Sequence, residues 1–291
     1  MYEIHEVTGV NGGECFLLTT GDSAALFDSG YDFSAPLCEQ NIRAILGDRP
    51  LGTIFLTHSH YDHATGSAYF KTVWPEVRVI ASPHAKKILE KQRAHMLMRE
   101  LNAAAAKDRG YCAQPDFIDR LQVDCAAEDG ARIAVGALEF EVIAAPGHTK
   151  CSVCYYCKEQ DLLIGCETLG VIGQYPQVLP CYIIGYEMTM RSLEKISALR
   201  PNTIVIPHFG VVEGRAAQDY LDRGKAAAQE AQELILSDHR KGMSDAEIVA
   251  HFAKTYYVGD LVYAQPKRAF MLNAEFLIPR VLEEHAAKNA L

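Results

Sequence analysis

Apolar and polar positions fall into short blocks up to Gly214 and then give way to long helical spacing. The early blocks predict strands. Cys15–Thr20 and Ala24–Asp28 are apolar-rich runs separated by Gly21-Asp22, a pair suited to a tight hairpin. Asp28-Ser29-Gly30 ends the second run in a turn, and Pro36 to Leu46 carries helical spacing. Leu51 to Thr57 is a short apolar run, Gly66 to Phe70 opens a helix, and Val77 to Ala81 reads as another strand. Residues 84 to about 126 break this rhythm and predict a helical insertion, punctuated by Gly110 and Pro115.

Strands resume at Arg132–Val135 and Leu138–Ile143 around Gly136-Ala137, then at Ser152–Tyr156, Asp161–Ile164 and Thr203–Ile206. Beyond Gly214, Ala216 to Leu236 predicts a long helix. Ser244-Asp245-Ala246-Glu247 has capping-box spacing ahead of Ile248, Phe252 and Tyr256. A last helix is expected over Ala269 to Ala287, kinked or split by Pro279. The expected organisation is a domain over residues 1–214 and a helical cap or extension over 215–291.

Composition narrows the setting. Of 291 residues, 49% are hydrophobic and 22% charged, which suits a folded chain with an ample core. The formal net charge of −9, with no long Lys/Arg run, disfavours nucleic acid or an anionic membrane as partner. Nine cysteines, an odd number, and a first segment without signal-peptide character lead to the expectation of a cytoplasmic protein with free thiols. No apolar run approaches the ~18 residues that span a bilayer.

The chemistry concentrates in Thr57-His58-Ser59-His60-Tyr61-Asp62-His63. His58, His60, Asp62 and His63 place several metal-capable side chains in one short loop at the end of an apolar run. Imidazole with carboxylate suits zinc, iron or manganese better than calcium or magnesium. Ligands this crowded can serve two metals. His148, Glu167 and His208 each lie just past the C-terminal end of a later apolar run, where loops on an α/β scaffold carry function. Taken singly, His148 or His208 reads at least as readily as an ordinary structural histidine. Cys151, Cys154 and Cys157 have CxxC spacing but sit in or beside a strand that puts Cys154 and Cys157 on opposite faces, so they are read as structural. His84, His95, His239, His251 and His285 are not read as ligands. Tyr175, Tyr182 and Tyr186 are candidates to line a substrate pocket, with packing as their more ordinary role.

The series resembles the metallo-β-lactamase superfamily: a His-x-His-x-Asp-His loop, a Gly-His-Thr turn at Gly147-His148-Thr149, a bridging acid and a last His. The resemblance covers about residues 13 to 210, including Asp28-Ser29-Gly30 and the hairpin from Asp129-Gly130 to Val142. It implies an α/β fold, the αββα four-layer sandwich, here with a helical insertion and a helical C-terminal extension. It also implies two divalent metal ions, zinc first, with iron or manganese as the other choices. His58, His60 and His148 would bind the first metal, and Asp62, His63 and His208 the second. Glu167 would bridge them, and Asp62 would also orient or shuttle a proton. The family usually has Asp at the bridge, and two registers fit this chain. One makes Glu167 the bridge and the other puts Cys166 there; a carboxylate bridges two hard cations more readily than a thiolate, which favours Glu167.

The activity expected is a dinuclear metallo-hydrolase that cleaves a small-molecule carboxyl ester, thioester or lactone through a metal-bound hydroxide. The insertion and tail are similar in layout to members such as the quinolone-signal-response thioesterase type, where added helices cover the site or form a homodimer face. The alternatives from the same fold are a phosphodiesterase or nuclease, an iron-dependent persulfide dioxygenase or diiron reductase, and a non-catalytic ligand-binding regulator. The acidic balance opposes the nuclease. The dioxygenase needs only one iron, and the diiron reductases usually carry an acid where His60 stands.

Overall fold

The structure, a computed structural model, describes residues 1–112, 116–172, 177–259 and 265–290. Pro115 and Tyr175 lie outside the described residues. The chain divides into two compact units, Met1–Ala144 with Val153–Gln160, and Ala145–Ser152 with Asp161–Leu291.

In the first unit six strands pair in sequence order: β1 (Tyr2–Glu6), β2 (Phe16–Thr20), β3 (Ser23–Phe27), β4 (Thr53–Phe55), β5 (Arg78–Ala81) and β6 (Cys125–Ala126). The first three are antiparallel, and β3 to β6 are parallel. The Gly21-Asp22 turn forms as expected, with Thr20 opposite Ser23 and Gly21 at φ 53°, a left-handed conformation that favours glycine. The parallel strands are joined through α1 (Ala35–Leu46), then α2 (Tyr61–Ala64) and α3 (Gly66–Val73), then the insertion. The insertion folds as α4 (Pro83–Leu89) and α5 (Gln92–Asp108), and it ends in β6, a strand its composition did not suggest. A second antiparallel ladder joins β7 (Arg132–Val135), β8 (Leu138–Ala144) and β9 (Val153–Cys157).

The core of this unit lies where the two ladders face each other. Phe27 and Phe55 stack at 5.0 Å between ring centroids, Phe140 of β8 meets Phe27 at 5.3 Å, and Tyr155 of β9 meets Phe55 edge-on at 4.8 Å. The Tyr155 hydroxyl donates to Leu56 O at 2.7 Å, at the point where β4 runs into the histidine loop. Truncating any one of these buried aromatics to Ala should cost about 3–5 kcal/mol.

The second unit holds β10 (Leu162–Ile164) parallel to β13 (Thr203–Ile206), which pairs antiparallel with β14 (Gly210–Glu213). A small hairpin joins β11 (Val171–Ile172) to β12 (Val178–Leu179). Helix α6 (Tyr186–Ser197), unforeseen in the sequence, packs on α7 (Arg215–Arg240), and α8 (Asp245–Tyr256) packs on α9 (Lys267–Asn289). The capping box at Ser244 and Glu247 is formed in both directions. Pro279 does not split the last helix: α9 runs through it as one element. The carbonyl that loses its partner belongs to Glu275, on the exposed side, where water can satisfy it. Leu277, Ile278 and Val281 anchor the buried side around the proline. Among the described residues, no helix is long and apolar enough to cross a membrane.

Candidate metal centre

The donors of the first unit are held by the turn after β3. Asp28 has φ 54°, a costly conformation for a residue other than glycine, and its buried carboxylate points into the histidine loop. Asp28 Oδ1 accepts from Thr57 N at 2.8 Å, and Oδ2 accepts from the Thr57 hydroxyl at 2.8 Å. Oδ2 also lies 2.8 Å from His63 Nδ1. Ser29 N and Oγ both donate to His63 O, at 2.7 and 2.9 Å. Gly66 N donates to Gly30 O at 3.0 Å, and a Cβ on Gly66 would stand 2.0 Å from Ser29 O. Only glycine lets helix α3 start against that turn.

This bonding fixes which imidazole nitrogens make the outer bonds. A carboxylate only accepts, so His63 donates to it through Nδ1, and its Nε2 lies 3.7 Å from Asp62 Oδ2. The Thr57 hydroxyl spends its one proton on Asp28, so at 3.1 Å it accepts from His58 Nδ1. One buried carboxylate thereby sets two histidines, the outer support that metal-ligating imidazoles require. The His58 ring packs against His60 and His63 at 4.6 and 4.2 Å between centroids. His58 and His60 can bring one donor atom each within 4.8 Å of one another, and so can Asp62 and His63.

The donors of the second unit come from three separate strand ends. His148 follows Gly147, where a Cβ would stand 2.3 Å from Thr189 Oγ1 of α6, so glycine is required for the close approach. His148 N donates to Thr168 Oγ1 at 3.1 Å, and Thr168 Oγ1 donates to Ala145 O at 2.7 Å. His148 Nδ1 donates to Cys181 O at 2.8 Å, so this outer bond is on Nδ1 and Nε2 faces Glu167. Glu167, in a short 3-10 turn after β10, is buried with its carboxylate between two imidazoles. Oε2 lies 2.7 Å from His148 Nε2, and Oε1 lies 3.3 Å from His208 Nε2. His208, at φ 61° after β13, is another strained position. Burial, then the negative Glu167, pushes the Cys181 thiol well above its ordinary range, so it stays protonated.

The donor chemistry fits a divalent ion: His58, His63 and His148 are buried imidazoles each held by an outer bond at Nδ1, His60 and His208 are half-buried, and Asp62 and Glu167 add carboxylates. Cys151, Cys154 and Cys157 are buried thiols outside any disulfide. Tyr182 is fully buried with its hydroxyl on Ala228 O, a packing role, and Tyr186 opens α6 against its ring. Sequence reading undervalued Asp28, whose single acid carried no spacing signal. It missed Cys181 and Thr168, which act through a backbone carbonyl and a common hydroxyl.

A family model described as the metallo-beta-lactamase superfamily matches residues 8–208. This chain belongs to that superfamily, and its fold is the superfamily's α/β sandwich type, here with a helical C-terminal extension. It is similar to glyoxylase B2 of Dictyostelium discoideum, 28% identical over 112 residues, which are 38% of this chain and 34% of that protein. The chain thus spans about a third of that relative. An uncharacterized protein of Mycobacterium leprae (strain TN) is 25% identical over 215 residues, 70% of this chain and 91% of the other. Among solved structures, a metallo-beta-lactamase family protein of Thermus thermophilus superposes with TM-score 0.68 at 20% identity, covering 99% of this chain and 94% of that one. An archaeal superfamily protein of Sulfolobus tokodaii superposes with TM-score 0.60 at 20% identity, covering 77% and 84%.

Proposed function

We propose that this chain is a two-metal hydrolase of a small-molecule carboxyl ester, thioester or lactone. The observation that carries the reading is the buried Glu167 carboxylate, with one oxygen toward His148 and the other toward His208. A carboxylate so placed suits a bridge between two cations, and it leaves Cys166 as the less fitting register. His58, His60 and His148 would hold one ion, Asp62, His63 and His208 the other, and Glu167 would stand between them. Ions held there would supply Lewis acidity toward a carbonyl oxygen and acidify a water. Asp28, Thr57 and the Cys181 carbonyl keep three of the rings presenting Nε2. Asp62 can hold a proton and pass it on to the leaving group.

The likeness to a protein named glyoxylase B2 supports the thioester member of this class. Zinc is the first choice of metal, with iron or manganese next. The family match ends at 208, ahead of α7, which supports residues 1–214 as the metallo-β-lactamase domain and 215–291 as a cap or homodimer face. The odd number of cysteines supports a cytoplasmic setting, and the net charge of −9 supports a small molecule rather than nucleic acid or a membrane as partner.

The test is a panel of p-nitrophenyl esters, acyl-CoA thioesters, lactones and bis-p-nitrophenyl phosphate, run on the full chain reconstituted with zinc, then iron, then manganese. Turnover of an ester, thioester or lactone that chelation abolishes is expected. Turnover of the phosphodiester alone would replace this reading with the phosphodiesterase.

A further inference from the structure

Helix α6 has no local cap. Its N-terminal neighbour is Gly185, and no side chain there satisfies the first turn. The cap arrives from far along the chain. Glu284 of α9 turns Oε2 onto Tyr186 N at 3.0 Å and Glu187 N at 3.2 Å. A carboxylate on the first N–H groups of a helix satisfies orphan donors and opposes the helix dipole. Gly185 makes the room: a Cβ there would stand 2.3 Å from Glu284 Oε1. Lys288, one turn further along α9, pairs with Glu187 and ties the same end of α6.

The capped end of α6 is joined directly to the support of His148. Ile184 N, just ahead of the cap, donates to Gly147 O at 2.9 Å, and Cys181 O accepts from His148 Nδ1. Within α6, Thr189 stands against Gly147 while bonding back to Gly185 O at 2.9 Å. Ser192 Oγ donates to Pro146 O at 2.7 Å. The segment before α6 and the first turns of the helix therefore grip residues 146–148 from two sides. Whatever holds the start of α6 holds the His148 ring.

We infer that Glu284, on the C-terminal helix, is a positioning residue for the metal donor His148, acting through the start of α6. The role of His148 as a ligand rests on the function proposed above; the positioning of its ring does not. The helical extension is on this account part of the metal centre's support, in addition to any part in covering it. Partners that orient a ligating histidine cost about 10–100-fold in metal affinity when removed. Glu284 acts one step further out, so a loss of about 3–10-fold is expected.

The experiment uses the full chain and two readouts. The first is the ¹⁵N–¹H signal of His148 Nδ1–H, whose position and exchange protection report the bond to Cys181 O. The second is Co(II) affinity by chelator competition, with the visible Co(II) spectrum. Glu284→Ala should shift the Nδ1–H signal and speed its exchange, weaken Co(II) by about 3–10-fold and alter its spectrum. Gly185→Ala should do the same from the other side, because the added methyl displaces the carboxylate while its extended backbone suits alanine. Glu284→Gln keeps an oxygen acceptor and should restore most of the wild-type behaviour. Leu277→Ala, a buried α9 residue away from the cap, should lower the melting temperature without moving either readout. The inference is overturned by an unchanged His148 spectrum in both Glu284→Ala and Gly185→Ala, or by an equal change in Leu277→Ala. A wild-type chain that binds no Co(II) would defeat the metal reading, and the ring spectrum would still decide the role of Glu284.

Discussion

The two units supply their donors in opposite ways. The first gathers four of them in a single loop, His58 to His63, beside one buried acid, Asp28. The second draws three from separate strand ends, His148, Glu167 and His208, and supports them with backbone groups and the packing of α6. A local loop needs only a turn to shape it, so its chemistry is written in adjacent residues. A dispersed set depends on tertiary contacts, and damage at a distance reaches it.

Substitutions can sharpen or break this contrast. The largest effect falls on the loop itself: His60→Ala should abolish chelator-sensitive turnover, a loss of about 100-fold or more in kcat/KM. Retained turnover would remove the loop from the chemistry. Next comes Gly147→Ala, which forces a methyl against Thr189 Oγ1 and Thr168 Cγ2. It should cost about 2–4 kcal/mol in denaturant unfolding, and it should loosen His148 while leaving the ring signals of His58 and His63 in place. Disturbance of both sets alike would show that the second has no separate support.

Asp28→Asn is the counterpart in the first unit. It keeps the shape but removes the charge that orders Thr57 and His63. Metal affinity by chelator competition should fall about 10–100-fold, with the His148 Nδ1–H signal unchanged.

The smallest effect concerns how the insertion is pinned to the loop. Asp32 N donates to Thr65 Oγ1 at 3.0 Å and Asn102 Oδ1 of α5 at 3.1 Å, and its carboxylate accepts from Phe117 N at 3.2 Å. Burial raises its carboxyl to about 6, against a lowering by the Phe117 N–H; Asp116 raises it further and Arg99 lowers it. The unfolded carboxyl titrates near ~3.9, so between about pH 4 and pH 6 the native chain keeps a proton that the unfolded chain has released. Stability from this group therefore falls as pH rises through that window, and the penalty is complete above about pH 6. Asp32→Asn, which still accepts from Phe117, should raise stability by about 1–2 kcal/mol at pH 7.5 and change it little at pH 4. A thermal melt at both values checks it, and equal shifts at both would remove the titration from the account.

The same contrast explains what the sequence disclosed. Strands with tight turns, such as β2–β3 at Gly21 and β7–β8 at Gly136, were legible because turn chemistry and alternation are local. The Ser244–Glu247 cap was legible for the same reason. Strand β14 and helix α6 were not. The first pairs at the edge with β13, and the second takes its cap from Glu284, far along the chain. Of the two outcomes expected at Pro279, the split does not occur: α9 runs through it, with Leu277, Ile278 and Val281 buried around it. The donor residues could be named from pattern and resemblance. The groups that aim them, Asp28, Thr57, Thr168 and the Cys181 carbonyl, emerge only from three-dimensional contacts.

The central claim is that the two donor sets together serve a pair of metal ions. Inductively coupled plasma mass spectrometry of the full chain, purified without chelator and reconstituted with excess zinc before desalting, measures it directly. The account predicts close to two zinc ions per chain. A value of one or fewer would contradict it.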